Sequence, residues 1–93
     1  MIPKEFHEDA KRLGYGEGGW DNLEKAWDEW ERYTTTFALE QGMKIWREGR
    51  RIWGTRDGEM YLLASATEPG ADPMNLWANA FSKIECWLMK QES

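Results

Sequence analysis

The sequence predicts an α+β fold: two N-terminal helices, an antiparallel β-meander of three to four strands, and a C-terminal helix packed on one face of the sheet. Three observations predict it. Apolar residues recur at helical spacing near both ends of the chain, whereas Gly42, Gly49 and Gly58 punctuate a central stretch rich in threonine, isoleucine, tryptophan and tyrosine. With 93 residues, 41% of them hydrophobic and 31% charged, the composition suits one packed domain covering 1–93.

The first element is short. Phe6, Ala10 and Leu13 fall at i, i+4 and i+7, Pro3 suits a first helical turn, and Gly14 suits a C-terminal cap, so a helix is expected over 3–13. Gly14, Gly16, Gly18 and Gly19 then form a connector. It lacks the lysine and the serine or threonine of a phosphate-binding loop and follows no strand. Asp21 can cap a second helix, with Glu24 three residues on, and Leu23, Ala26, Trp27 and Trp30 form its apolar stripe over about 21–32. Trp20 can act as a hydrophobic staple.

From Tyr33 the pattern changes. Three consecutive threonines, 34–36, weaken a helix through lost side-chain freedom, which favours a strand over 33–41 against the competing reading of one helix continuing toward Glu48. Taking Glu40-Gln41-Gly42 and Arg56-Asp57-Gly58 as three-residue loops and Glu48-Gly49 as a two-residue loop aligns Phe37, Ile45, Ile52 and Leu62 as one core-facing row. The opposite face then carries Ala38, Lys44, Trp53 and Tyr61 in one row and Thr36, Trp46, Arg51 and Leu63 in the next. After a loop containing Glu68-Pro69-Gly70, Asp72 caps and Pro73 opens a last helix with the stripe Trp77, Ala80, Phe81, Ile84, Trp87 and Leu88.

Composition also restricts function. The longest apolar stretches, 61–64 and 86–89, are far shorter than the ~20 residues of a membrane span. The first residues begin no apolar run like that of a secretory signal, so a cytoplasmic home is expected. One cysteine and one histidine argue against a disulfide framework or a zinc site, and no cofactor is expected. The net charge of −5 is uneven: residues 1–40 carry five basic and ten acidic side chains, and residues 61–93 two and four. The basic island between them holds Lys44, Arg47, Arg50, Arg51 and Arg56. A net negative domain repels phosphate backbones, which argues against direct nucleic-acid binding and favours a basic protein partner.

No catalytic constellation stands out. His7 has no accompanying partner motif, and Cys86, although near Lys83 and Lys90 in sequence, has no distinctive context, so an enzyme built on either residue is the weakest reading. Seven tryptophans need another reason. Trp27, Trp30, Trp77 and Trp87 fall on helical stripes and enlarge a small core. Trp46 and Trp53 share the sheet face away from the core row, with Tyr61, Lys44 and Arg51. Cross-strand pairing of Lys44 with Trp53 and of Arg51 with Trp46 would cover the rings structurally at roughly 0.5–1 kcal/mol each. A binding surface is the functional alternative, since tryptophan, tyrosine and arginine dominate interface hot spots.

Glu24, Asp28 and Glu31, one helical turn apart, offer a second, acidic contact for a basic groove that otherwise holds phosphates. In general character, being small, acidic and aromatic-rich without a catalytic set, the chain is similar to small phage or mobile-element proteins that inhibit host defence machinery, such as anti-CRISPR proteins. The likeness is one of class, rests on no particular motif and transfers no site. The expected function is therefore a non-enzymatic inhibitor or binding module directed at a nucleic-acid-handling protein complex. A small-ligand or single-stranded nucleic-acid module using the same aromatic face is the alternative. A second copy of the chain over that face is left open.

Overall fold

The computed structural model describes residues 1–15 and 20–92. A 3-10 turn at Lys4–Phe6 leads into α1 (His7–Arg12), and α2 follows over Trp20–Glu40. Strands β1 (Lys44–Glu48), β2 (Arg51–Arg56) and β3 (Glu59–Ser65) form one antiparallel sheet in the order β1-β2-β3. A second 3-10 turn at Pro73–Asn75 opens α3 (Leu76–Glu92), with the Asp72 carboxylate accepting from the Met74 amide at 2.9 Å as the expected cap. α3 packs across β2 and β3, and α2 packs on α3 and β1, so the arrangement is α+β with helices on one side of the sheet. No helix among the described residues is long and apolar enough to cross a membrane.

The fourth strand is not there. Residues 33–40 continue α2 instead, and hydrogen bonds engage two of the three threonines. Thr34 is fully buried and its hydroxyl donates to the Trp77 carbonyl at 3.0 Å, while Thr35 donates back to Glu31 at 2.8 Å. Trp27, Thr34 and Ala38 then form one buried stripe facing the core. The helix stops at a residue-specific signal: the Met43 amide donates to the Ala38 carbonyl and the Gly42 amide to the Leu39 carbonyl, with Gly42 at φ 76°. That is a Schellman cap, so Gly42 ends a helix where a hairpin loop was expected. Phe37, Ala38 and Thr36 accordingly leave the predicted cross-strand rows. Asp21 sits inside the first turn of α2, where its charge suits the helix dipole, and not at the N-cap. The connector glycines beyond Gly14 and the Trp20 staple lie outside the described residues and side chains.

The first hairpin turn keeps its expected two residues but lies one position later in the chain, and the second is one residue shorter than expected. Glu48 pairs with Arg51, which makes Gly49-Arg50 the two-residue loop, and Gly49 at φ 61° fits the first position of a II′ turn. Arg56 pairs with Glu59 around Asp57 (φ 53°) and Gly58 (φ 80°), the dihedral signature of a I′ turn. Between β2 and β3 the register then shifts at Ile52/Trp53, where Ile52 faces Ala64 while Trp53 faces Leu62. Leu63 is the extra residue of a β-bulge. Leu63 and Ala64 both turn inward as a result, and Leu62, expected in the core row, turns outward.

The core is built around Phe6, Trp27, Ile52, Leu76, Trp77 and Ile84, all nearly inaccessible. Phe6 joins three elements. Its ring meets Trp27 of α2 edge-on at 5.6 Å, and the guanidinium groups of Arg47 and Arg50 lie over it at 5.4 and 5.3 Å. Carboxylates from the same N-terminal segment hold both arginines: Arg47 donates to Glu5 at 2.8 Å and Arg50 to Asp9 at 2.5 Å. Asp9 also accepts from Arg12 at 3.0 Å.

These contacts hold the Asp9 carboxyl below its usual value of 3.8, first through the hydrogen bond from Arg50 and then through that from Arg12. A lowered folded-state value means that the stabilisation is complete above about pH 4 and is lost as the pH falls through the folded value. Asp9→Asn is therefore expected to lower stability at pH 7 and to flatten the acid limb below about pH 4. Urea unfolding across that range measures both effects, and an acid limb as steep as that of the parent protein counts against the junction.

Candidate functional site: an uncovered aromatic sheet face

Registers fix the composition of the outer face. Three rows cross the sheet: Glu48–Arg51–Ser65, then Trp46–Trp53–Leu62, then Lys44–Thr55–Met60. The middle row is wholly apolar, with Trp46 directly opposite Trp53. Both indoles are half-buried, while Leu62 is 44% and Met60 59% exposed. Charges flank the row, and the cross-strand pair Glu48–Arg51 opposes unlike signs. Since α2 and α3 pack against the other face, none of the described helices covers these rings.

The predicted site residues divide. Trp46, Trp53, Lys44 and Arg51 share this outer face as expected, but Tyr61 does not. Paired with Gly54, it points to the inner side, where its ring lies 6.4 Å from Trp87 and its hydroxyl donates to Glu59 at 2.7 Å. That bond keeps the phenol protonated and raises its pKa above the ordinary 10.0. The predicted structural covering of the tryptophans also fails, because Lys44 faces Thr55 and Arg51 faces Glu48.

The cation–π contacts of the basic island lie on the inner side instead, with Arg47 and Arg50 on Phe6 and Arg56 over Trp87 at 4.6 Å. Three of the five basic residues are thus engaged internally, which leaves Lys44 and Arg51 to give the outer face its positive charge.

The acidic residues occupy another layer. Glu24, Asp28 and Glu31 lie on α2, where Asp21, Glu24, Asp28 and Glu29 border an open groove of about 460 Å³ together with Lys25 and Arg32. Asp28 also pairs with the Met1 amino group. A second open groove, of about 550 Å³, runs between α2 and α3 and is bordered by Trp30, Tyr33, Phe37 and Phe81. A smaller cleft of about 260 Å³ between β3 and α3 is bordered by Tyr61, Leu62, Lys83 and Trp87.

His7 Nε2 donates to the Ile2 carbonyl at 3.2 Å on α1, and Cys86 is exposed on α3. Neither borders the three grooves. Among the described residues no three histidine, cysteine or carboxylate side chains converge as a metal site. No family model, curated protein or solved structure matches this chain.

Sequence reasoning missed Leu62, Met60 and the α2–α3 groove. The Asp57-Gly58 pair was the available signal for the first two, since it specifies a two-residue I′ turn and hence places Leu62 beside Trp53. Helical spacing of Trp30, Tyr33 and Phe37 was the signal for the third. The bulge makes a sharp prediction about neighbouring leucines. Leu63→Ala should cost about 2–4 kcal/mol, as for a buried leucine, whereas Leu62→Ala should cost less than about 1 kcal/mol. Equal costs in urea unfolding would contradict the register.

Proposed function

We propose that this protein is a non-catalytic binding module whose outer sheet face occupies a surface of a larger protein. The observation that carries the reading is the Trp46–Trp53–Leu62 row, in register across three strands and left uncovered by the helices. A cross-strand aromatic pair contributes roughly 0.2–1 kcal/mol to a sheet, little return for two large rings kept on the outer side. The same rings seated in a partner are anchors of the kind that dominate binding energy. Lys44 and Arg51 border the row and supply charged rim contacts.

Glu24, Asp28 and Glu31 lie on the helical layer and form a second contact distinct from the sheet face. The narrower form of the proposal, an inhibitor that blocks a nucleic-acid-handling complex in the manner of an anti-CRISPR protein, rests on this acidic stripe occupying a basic groove.

Affinity capture from the native host supplies the partner for the test. Trp53→Ala should weaken binding to it by about 2 kcal/mol or more, roughly 30-fold, with the urea midpoint nearly unchanged. Unaltered affinity in a folded variant removes the anchor role. Reversing Glu24, Asp28 and Glu31 to lysine should slow association and change its salt dependence.

A second reading draws on Lys44 and Arg51 beside the two indoles, a combination that suits stacking on single-stranded nucleic acid. Saturable fluorescence quenching by an oligonucleotide, abolished in Trp46→Ala, would favour it over the protein-binding reading.

A further inference from the structure

The groove between α2 and α3 is independent of the sheet face. Trp30 meets Tyr33 at 6.4 Å and 90° and Phe81 at 5.8 Å and 71°, while Phe37 and Phe81 lie 4.6 Å apart at 30°. Perpendicular rings present both faces and edges to one space, and Trp30 and Tyr33 remain 42% and 53% exposed. At about 550 Å³ the space lies within the range of specific ligand sites.

Three features give it a charge preference. The Arg32 guanidinium already rests 5.6 Å from the Tyr33 ring centroid, so this surface accommodates that cation. Glu40 borders the groove, roughly 15 Å along the helix axis from Trp30. It is also the last residue of α2, where the helix dipole is negative, and the final turn holds no basic side chain. At Arg32 the aromatic groove adjoins the acidic one bordered by Asp21, Glu24, Asp28 and Glu29.

We propose that the α2–α3 groove is a binding site for an arginine side chain of a basic protein segment. The guanidinium would stack among Trp30, Tyr33 and Phe81, a second basic residue of the segment would reach Glu40 at the far end of the groove, and others would lie along the acidic groove. The fit is one of charge as well as shape, since a cation on an aromatic face is stabilised most where water is partly excluded. Arg32 acts as an internal occupant that an incoming arginine must displace from Tyr33.

Titrating the intact protein with an arginine-rich peptide, and with the same peptide carrying citrulline, tests the proposal. Citrulline keeps the shape of arginine and removes its charge. The indole NH resonance of Trp30, assigned with Trp30→Phe, should move saturably with the arginine peptide alone. Glu40→Gln should weaken binding by about fivefold, and Arg32→Ala should strengthen it or leave it unchanged. Both residues are exposed, so the variants should keep the fold, checked by circular dichroism. Equal shifts with citrulline, shifts confined to Trp46 and Trp53, or binding unaffected by Tyr33→Ala would each overturn the site. Because the residues are separate from the sheet face, failure here leaves the Trp46–Trp53 reading standing, and the converse also holds.

Discussion

Two tight turns and one bulge decide which way every side chain of the sheet points, because alternate residues face opposite sides and a slip of one residue exchanges them. The II′ turn at Gly49-Arg50 sets Trp46 opposite Trp53, and the I′ turn at Asp57-Gly58 sets Trp53 opposite Leu62. Left uncorrected, that second register would send Leu63 inward and Ala64 outward. The bulge brings both inward, beside Ile52 and under α3. One residue of irregularity thus joins an apolar outer row to an unbroken core on the other side. Gly54 shows how little slack the inner face has, since a Cβ there would lie 2.9 Å from the Met43 sulfur and 3.0 Å from a Leu63 methyl.

The same constraint sorts the arginines. Arg47 and Arg56 alternate onto the inner side, and Arg50 in the turn reaches back to Phe6 and Asp9. A sequence-level basic island becomes, in space, a set of clamps on aromatic rings: two on Phe6 and one on Trp87. The N-terminal segment is held because Glu5 and Asp9 satisfy guanidiniums that would otherwise lose hydration against a ring. Local charge density in the sequence therefore overstates the positive potential of the outer sheet face, and reading nucleic-acid affinity from it would be a mistake.

Much of the architecture was legible where local signals agree with tertiary packing. α3 follows from Asp72-Pro73 and its apolar stripe, Gly14 ends the first helical segment, and Trp46 and Trp53 fall on one face because a two-residue turn gives the right parity whether it lies at 48–49 or at 49–50. Two features needed information the chain does not carry locally. The threonines of α2 oppose a helix by propensity, and only the distant Trp77 carbonyl and the core beside Ala38 reverse that preference. The bulge at Leu63 compensates for a turn one residue shorter than assumed, so Tyr61 and Leu62 exchanged sides while the strands themselves stood where expected. Of the site, the two tryptophans and two cations were readable; the α2–α3 groove was not, because assigning residues 33–41 to a strand removed one of its walls.

The two aromatic surfaces have opposite electrostatic characters. On the sheet, Glu48 offsets Arg51 and leaves Lys44 uncompensated, whereas the groove ends at Glu40 and a helix C-terminus and adjoins the carboxylates of α2. In a chain of net charge −5 the long-range field matches the second surface, so a basic partner of the kind proposed would be steered toward the helices. Steering sets how fast partners meet, while desolvated anchors set how long they stay. On the proposed binding function these roles would separate by layer: carboxylates on α2 would govern approach, and the indoles of the cross-strand row would govern residence. A partner using both would have to reach from one layer to the other, which a single flat interface cannot do, so it must either wrap the domain's edge or present two separate surfaces to it.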